Sequence, residues 1–246
     1  MFDLDLFGWT VVAACAVMVG VAKTGIPGVG ILVVPLMAGV LPARPSVGVL
    51  LGILILGDLF AATYYRHHAQ WGHVLRLLPA TFAGIVAGYF GLRIVTDEQL
   101  RPIIGAIVLA MLGVNYWRMR SKDENMRLPA RWWFATVLGF LAGFTTMMAN
   151  AAGPVMIIYL LAMGLPKFKF VGTAAWFFFV VNWIKVPFSA NLELMTWESV
   201  KLDLLMLPFI AAGAVSGILV LKRIPQKTFA AAVQILAAAA AIKLLF

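Results

Sequence analysis

Residues Thr145–Leu160 read TTMMANAAGPVMIIYL. Apolar sequence runs on both sides, yet the stretch holds two threonines, an asparagine, a glycine and a proline. In a helix interior glycine costs about 1 kcal/mol and proline about 3 kcal/mol relative to alanine. A continuous helix through Asn150, Gly153 and Pro154 is therefore unfavourable. In a bilayer the backbone groups freed by a break must be satisfied by protein or by a water-filled cavity. The stretch predicts a helix that stops at depth and starts again.

The same device occurs earlier. Ala22–Gly30 reads AKTGIPGVG, inside an apolar run from Gly8 to Leu41. The run around the later break extends from Trp132 to Leu165. Laying Gly30 on Gly153 puts Leu41-Pro42 on Leu165-Pro166, Val47-Gly48 on Val171-Gly172 and Asp58 on Asn182. Further on, Pro79, Gly84 and Gly88 meet Pro208, Gly213 and Gly217. The order and near-constant offset predict two repeats, each opening with a broken or re-entrant helix, a plan common in secondary transporters. Residues 1–120 form the first repeat, 121–130 a central polar loop and 131–246 the second.

Composition places these repeats in a membrane. The chain is 63% hydrophobic and 12% charged, against roughly 45–50% and about 25% for soluble domains. The fold expected is an all-α integral membrane protein with two four-element repeats. Six further segments read as simple spans: Ser46–Tyr65, Trp71–Ile94, Leu100–Trp117, Lys169–Ser189, Val200–Leu221 and Thr228–Phe246. The net charge of +9 fits basic loops on one side of a bilayer better than nucleic-acid binding. If the broken segments are hairpins and the N-terminus is outside, the inside loops hold Arg66, Arg76, Arg118–Arg131, Lys167, Lys169 and Lys222–Lys227. The outside keeps Arg44, Arg93, Arg101, Lys185 and Lys201. If each broken segment crosses once, Lys222–Lys227 move outside and the bias nearly vanishes. Charge therefore favours inverted repeats. The N-terminal MFDLDLFGW has no basic residue, unlike a cleaved signal peptide. The lone Cys15 excludes an internal disulfide.

The breaks gather residues suited to an anion. A helix that starts in mid-membrane points free N–H groups and partial positive charge at whatever precedes it. Lys23, Thr24, Gly25, Gly28 and Gly30 in the first break, with Thr145, Thr146, Asn150 and Gly153 in the second, form the candidate substrate site. Asn182 joins them as the repeat mate of Asp58. Asp58 lies in an otherwise apolar span, so it either pairs with Lys23 or carries a proton that couples transport. Lys185 reads as snorkelling from a span end. The glycine pairs Gly84–Gly88 and Gly213–Gly217 read as helix-packing positions, and Trp176 as lipid-facing, core or cavity-lining. No metal or cofactor is expected: His67, His68 and His73 lack metal-ligand spacing and read as part of a basic loop.

At these breaks the chain resembles the sulfite exporter TauE/SafE family. The resemblance rests on GIPGVGILVVPLM, Gly25–Met37, and on Gly143–Lys185, which begins GFTTMMANAAGPVMIIYLL, and it covers nearly the whole chain. Val29 interrupts the glycine triplet usual at the first break, and NAAG replaces a glycine-rich run at the second. The resemblance implies a multi-pass protein of the bacterial inner membrane that moves sulfite, sulfoacetate or another organosulfonate, coupled to an ion gradient. The partners expected are a small anion and the lipid bilayer, with no nucleic acid; a homodimer is compatible with the reading. The alternatives are a carrier of another small anion, such as a carboxylate, and an integral-membrane enzyme, for which only the histidines near Asp58 offer groups.

Overall fold

A computed structural model describes residues 4–25, 29–96, 98–100 and 132–223, with 102–103, 106–107 and 109–110 between them. All regular structure among these residues is helical. The spans expected at Leu100–Trp117 and Thr228–Phe246, the central loop and the Arg118–Arg131 charges fall mostly or wholly outside the described residues.

Helix α1 is Leu6–Thr24, and Asp5 caps it by accepting from the Gly8 amide at 2.7 Å. Helix α2 is Gly30–Val40. A methyl group on Gly30 would lie 3.7 Å from Ala22 Cβ. Eight residues of continuous helix would separate those positions by about 12 Å. The chain therefore turns back at the first break. Helices α3 (Ala43–Tyr64) and α4 (Trp71–Ile94) complete the described part of the first half.

The second half begins with α5, Trp132–Ala149. Asn150 ends it in the left-handed region, at φ 53°, a conformation asparagine tolerates better than most residues. Its amide donates to Thr146 O, and the Ala151 amide reaches back to Thr145 O. Helix α6 is Gly153–Ala162 and α7 is Lys167–Asn191. The entries to α3 and α7 match: Pro42 sits at φ −55°, ψ 151° and Pro166 at φ −58°, ψ 150°, each as the N-cap. Proline fixes φ and cannot extend the preceding helix, so each Leu-Pro step resets the chain direction.

The span expected over Val200–Leu221 differs from the simple helix read in the sequence. It is α8 (Trp197–Leu205) followed by α9 (Leu207–Arg223), bent by 50°. Thr196 and Ser199 form a reciprocal cap at the start of α8. Pro208 has no N–H with which to carry the helical ladder across the bend. Hydropathy alone registers the apolar run and overlooks this interruption.

Among the described residues five helices are long and apolar enough to cross a bilayer, and the bent α8–α9 pair makes a sixth. The protein is a multi-pass membrane protein. Among the described residues its most extensive helix contacts are α4 with α5 and α1 with α9. Both crossings use the same chemistry. A Cβ on Gly84 or Gly143 would overlap backbone at Phe140 or Thr81, and one on Gly20 or Gly213 would overlap backbone at Ile210 or Val17. Small residues let the helix backbones approach where lipid supplies no hydrophobic drive.

Candidate functional site

The two breaks open onto one cavity of about 90 Å³. The starts of α2 and α6 reach it through Gly30, Gly153 and Pro154. Its polar lining is Lys23, Thr146, Asn150 and Asn182; Phe170, Phe178, Met156 and Leu160 contribute to the apolar remainder. The glycines here differ from those at the helix crossings. Among the described residues outside its own helix backbone and chain neighbours, nothing lies within 4 Å of where a Cβ on Gly153 would stand, and for Gly30 only Ala22 does. These two glycines keep space open, whereas the crossing glycines fill it.

A single polar chain runs from one break to the other. Lys23 Nζ forms an ion pair with Asp58 Oδ1 at 2.7 Å. It also sits 4.3 Å from the centre of the Phe178 ring, a favourable place for a cation. Asn182 Nδ2 donates to Asp58 Oδ2 at 2.7 Å. Lys185 Nζ donates to Asn182 Oδ1 at 3.3 Å, to Thr146 Oγ1 at 3.1 Å and to Asn150 Oδ1 at 2.5 Å. Asn150 Nδ2 closes the chain by donating to Val47 O at 3.0 Å.

This chain determines what the wall offers a ligand. Lysine has three donors and no acceptor. Lys185 spends its donors on the side-chain oxygens of Thr146, Asn150 and Asn182. Each of those groups keeps a donor: the Thr146 hydroxyl hydrogen, and one N–H on each amide beyond those given to Val47 and Asp58. Lys185 lies wholly buried behind the wall, at 0% exposure. The polar wall thus holds its acceptors inward and has donors left for the cavity.

The sequence-derived residues divide into three groups. Lys23, Gly30, Thr146, Asn150, Gly153 and Asn182 line the cavity, and Asp58 stands one contact behind it. Thr24, Gly25 and Thr145 are used in packing. The Thr24 hydroxyl donates to Gly20 O and Ala214 O, Gly25 abuts Gly217, and the Thr145 hydroxyl donates to Leu141 O. Gly28 lies outside the described residues.

Lys185 reverses the sequence expectation: it is not a snorkelling outer charge but the centre of the network. Its position relative to the helix end misled, because Asn191 closes α7 only six residues later. The signal was its spacing. Lys185 follows Asn182 by three residues, so both lie on one helix face, and Asn182 is the mate of the buried Asp58. Lys23 itself, extended through the repeat register, falls on Thr146, the residue Lys185 contacts. The first half draws its cation from α1, and the second draws its own from α7.

Trp176 is absent from the lining and faces Trp71, with ring centres 5.1 Å apart. His73 Nδ1 lies 3.0 Å from the Tyr159 hydroxyl. Among the described residues no group of three or more His, Cys, Asp or Glu side chains could hold a metal ion.

No curated protein and no solved structure matches the chain. A family model does, over residues 12–244, and its description is sulfite exporter TauE/SafE. That match takes in both breaks, the cavity between them and nearly the whole chain, so this multi-pass protein belongs to the sulfite exporter TauE/SafE family of membrane transporters.

Proposed function

We propose that the protein is a gradient-coupled secondary transporter of the bacterial inner membrane that carries sulfite or a small organosulfonate, such as sulfoacetate, held between the two breaks. The observation that carries this reading is the donor-bearing wall set by Lys185. A sulfonate head, like fully ionised sulfite, offers only acceptor oxygens, so it complements donors from Thr146, Asn150 and Asn182. Free backbone N–H groups at the starts of α2 and α6 add partial positive charge. Lys23 and Lys185 against Asp58 leave one net positive charge when all three are ionised, which attracts an anion. The apolar lining at Phe170, Phe178 and Met156 favours an organosulfonate, whose carbon part it would cover, over bare sulfite.

Asp58 is the coupling residue in this reading. Protonating it would release Lys23 toward the cavity, so anion and proton occupancy would favour one another. Residues 1–120 and 131–246 act as two inverted repeats about an axis near the Asp58–Asn182 contact. Direct contact between those repeat mates, together with the matching glycine crossings and Leu-Pro entries, supports this arrangement.

The test is thermal-shift measurement on the purified full-length protein with sulfite, sulfoacetate, taurine, sulfate, acetate and succinate. A ligand that binds the folded state raises apparent stability by mass action. Sulfoacetate and sulfite should raise the melting temperature, sulfoacetate more. Stabilisation by acetate or succinate alone would identify a carboxylate carrier instead, and no response to any anion would reject the site. Single cysteines at Lys169 and Gln226 test the inversion: both should resist labelling from outside intact cells.

A further inference from the structure

Helix α8 buries a carboxyl group that the anion site does not use. Asp203 is 3% exposed, and neither of its oxygens has a hydrogen-bond partner among the described residues. It packs on Gly52 of α3, where even a methyl group would overlap its Oδ2. One turn earlier Gly48 receives the Leu194 carbonyl in the same way. The α8 elbow therefore rests on a two-glycine strip of α3. Leu50, Ile53, Leu194, Leu202 and Met206 are buried in the same apolar cluster.

Among the described residues, no charge on the helices packed against α8 answers this carboxyl. On α3, Arg44 lies eight residues before Gly52, about 12 Å along the axis, and donates to Leu92 O and Val95 O. Asp58, six residues after Gly52, pairs with Lys23. On α9 the charged residues are Lys222 and Arg223, at the end remote from α8. On α8 itself Glu198 and Lys201 are exposed, and Lys201 lies over the Trp197 ring. Glu193, in the link before α8, is exposed too. An ionised carboxylate here would lose its hydration and gain neither cation nor donor in exchange, so the group that fits is the neutral acid. The repeat register agrees. Pro79 on Pro208 places Asp203 on Val74, which is wholly buried in α4.

We propose that Asp203 is a proton-binding site separate from the Lys23–Asp58 pair, and that its proton holds the α8–α9 elbow against α3. Loss of that proton would leave a charge that only water could satisfy, favouring a conformation in which the elbow lifts from Gly48 and Gly52. Asp203 lies three residues before the 50° bend, where the helical ladder is already interrupted.

Infrared difference spectroscopy of the full-length protein in lipid bilayers tests this directly, using the carbonyl stretch of a protonated carboxylic acid. At pH 7 the wild type and Asp58→Asn should both show such a band, shifted in D₂O, and Asp203→Asn should lack it. Gly52→Ala, which pushes the carboxyl from its niche, should lose the band at pH 7, and this second variant serves if Asp203→Asn fails to fold. Absence of the band in the wild type, or its persistence in Asp203→Asn, would overturn the proposal. So would its loss on adding sodium at constant pH, which would mark a metal-cation site.

Discussion

Replacing Lys185 with methionine separates anion selection from simple packing. The change keeps an unbranched side chain in a wholly buried place and removes the charge with its three donors. Two effects act together. The oxygens of Thr146, Asn150 and Asn182 lose the donor that occupies them, so acceptors can turn toward the cavity. The charge behind the wall is also lost. Lys185 Nζ stands 2.5–3.3 Å from those oxygens, and a bound anion one further hydrogen bond away lies about 6 Å from it. At an effective dielectric constant near 20, that separation gives about 2.8 kcal/mol of attraction, or roughly a hundredfold in affinity. Titration calorimetry with sulfoacetate on purified wild type and Lys185→Met, each shown folded by gel filtration and circular dichroism, measures the difference. A weakening near a hundredfold is expected, with the remaining affinity less sensitive to salt. Binding within twofold of wild type would refute the idea that Lys185 sets the wall.

Gly153→Val should insert and fold yet lose most anion binding, because its side chain enters open cavity space, whereas Gly20→Val should lower protein yield and melting temperature, because a Cβ there meets Ile210 backbone; thermal melts with and without sulfoacetate distinguish the two. Asp58→Asn should retain binding but slow proton-gradient-driven uptake into proteoliposomes at least tenfold, and uptake at the wild-type rate across pH would remove Asp58 from coupling. Thr24→Val should leave anion affinity within twofold while costing about 1 kcal/mol of stability from its buried hydrogen bonds, read as a shift in denaturant midpoint.

The sequence made the broken helices and their partnership legible because glycine, proline and asparagine carry strong backbone preferences that stand out against apolar surroundings. Gly30 and Gly153 could be matched by register alone, and the high cost of burying either charge unpaired made a pairing of Lys23 with Asp58 one of two readings of Asp58; the 2.7 Å contact in the structure realises it. Which polar residues faced the ligand was less legible. Thr24 and Thr145 sit beside Lys23 and Thr146 in the chain, yet one step along a helix turns a side chain by about 100°, here from cavity to packing. Lys185 was misread for a related reason. Distance from a helix end shows how far a lysine could reach for water, but only the neighbouring helices decide whether water is there. The bend between α8 and α9 escaped notice because a proline within an apolar run does not by itself break a span: the matching Pro79 sits inside the unbroken α4.

Asp58 and Asn182 touch at 2.7 Å, although the two-repeat reading makes each the other's counterpart along the chain. Were the transporter assembled from two copies of one half-length protein, the same residue would occur on both sides of that contact. Two aspartates there could not both remain ionised at such separation, and two asparagines would leave Lys23 without its counter-ion. Joining the halves in one polypeptide lets them differ where they meet. In the two-repeat reading, a lone carboxylate at the meeting point is thus something two joined and diverged halves can possess and a homodimer of identical halves could not.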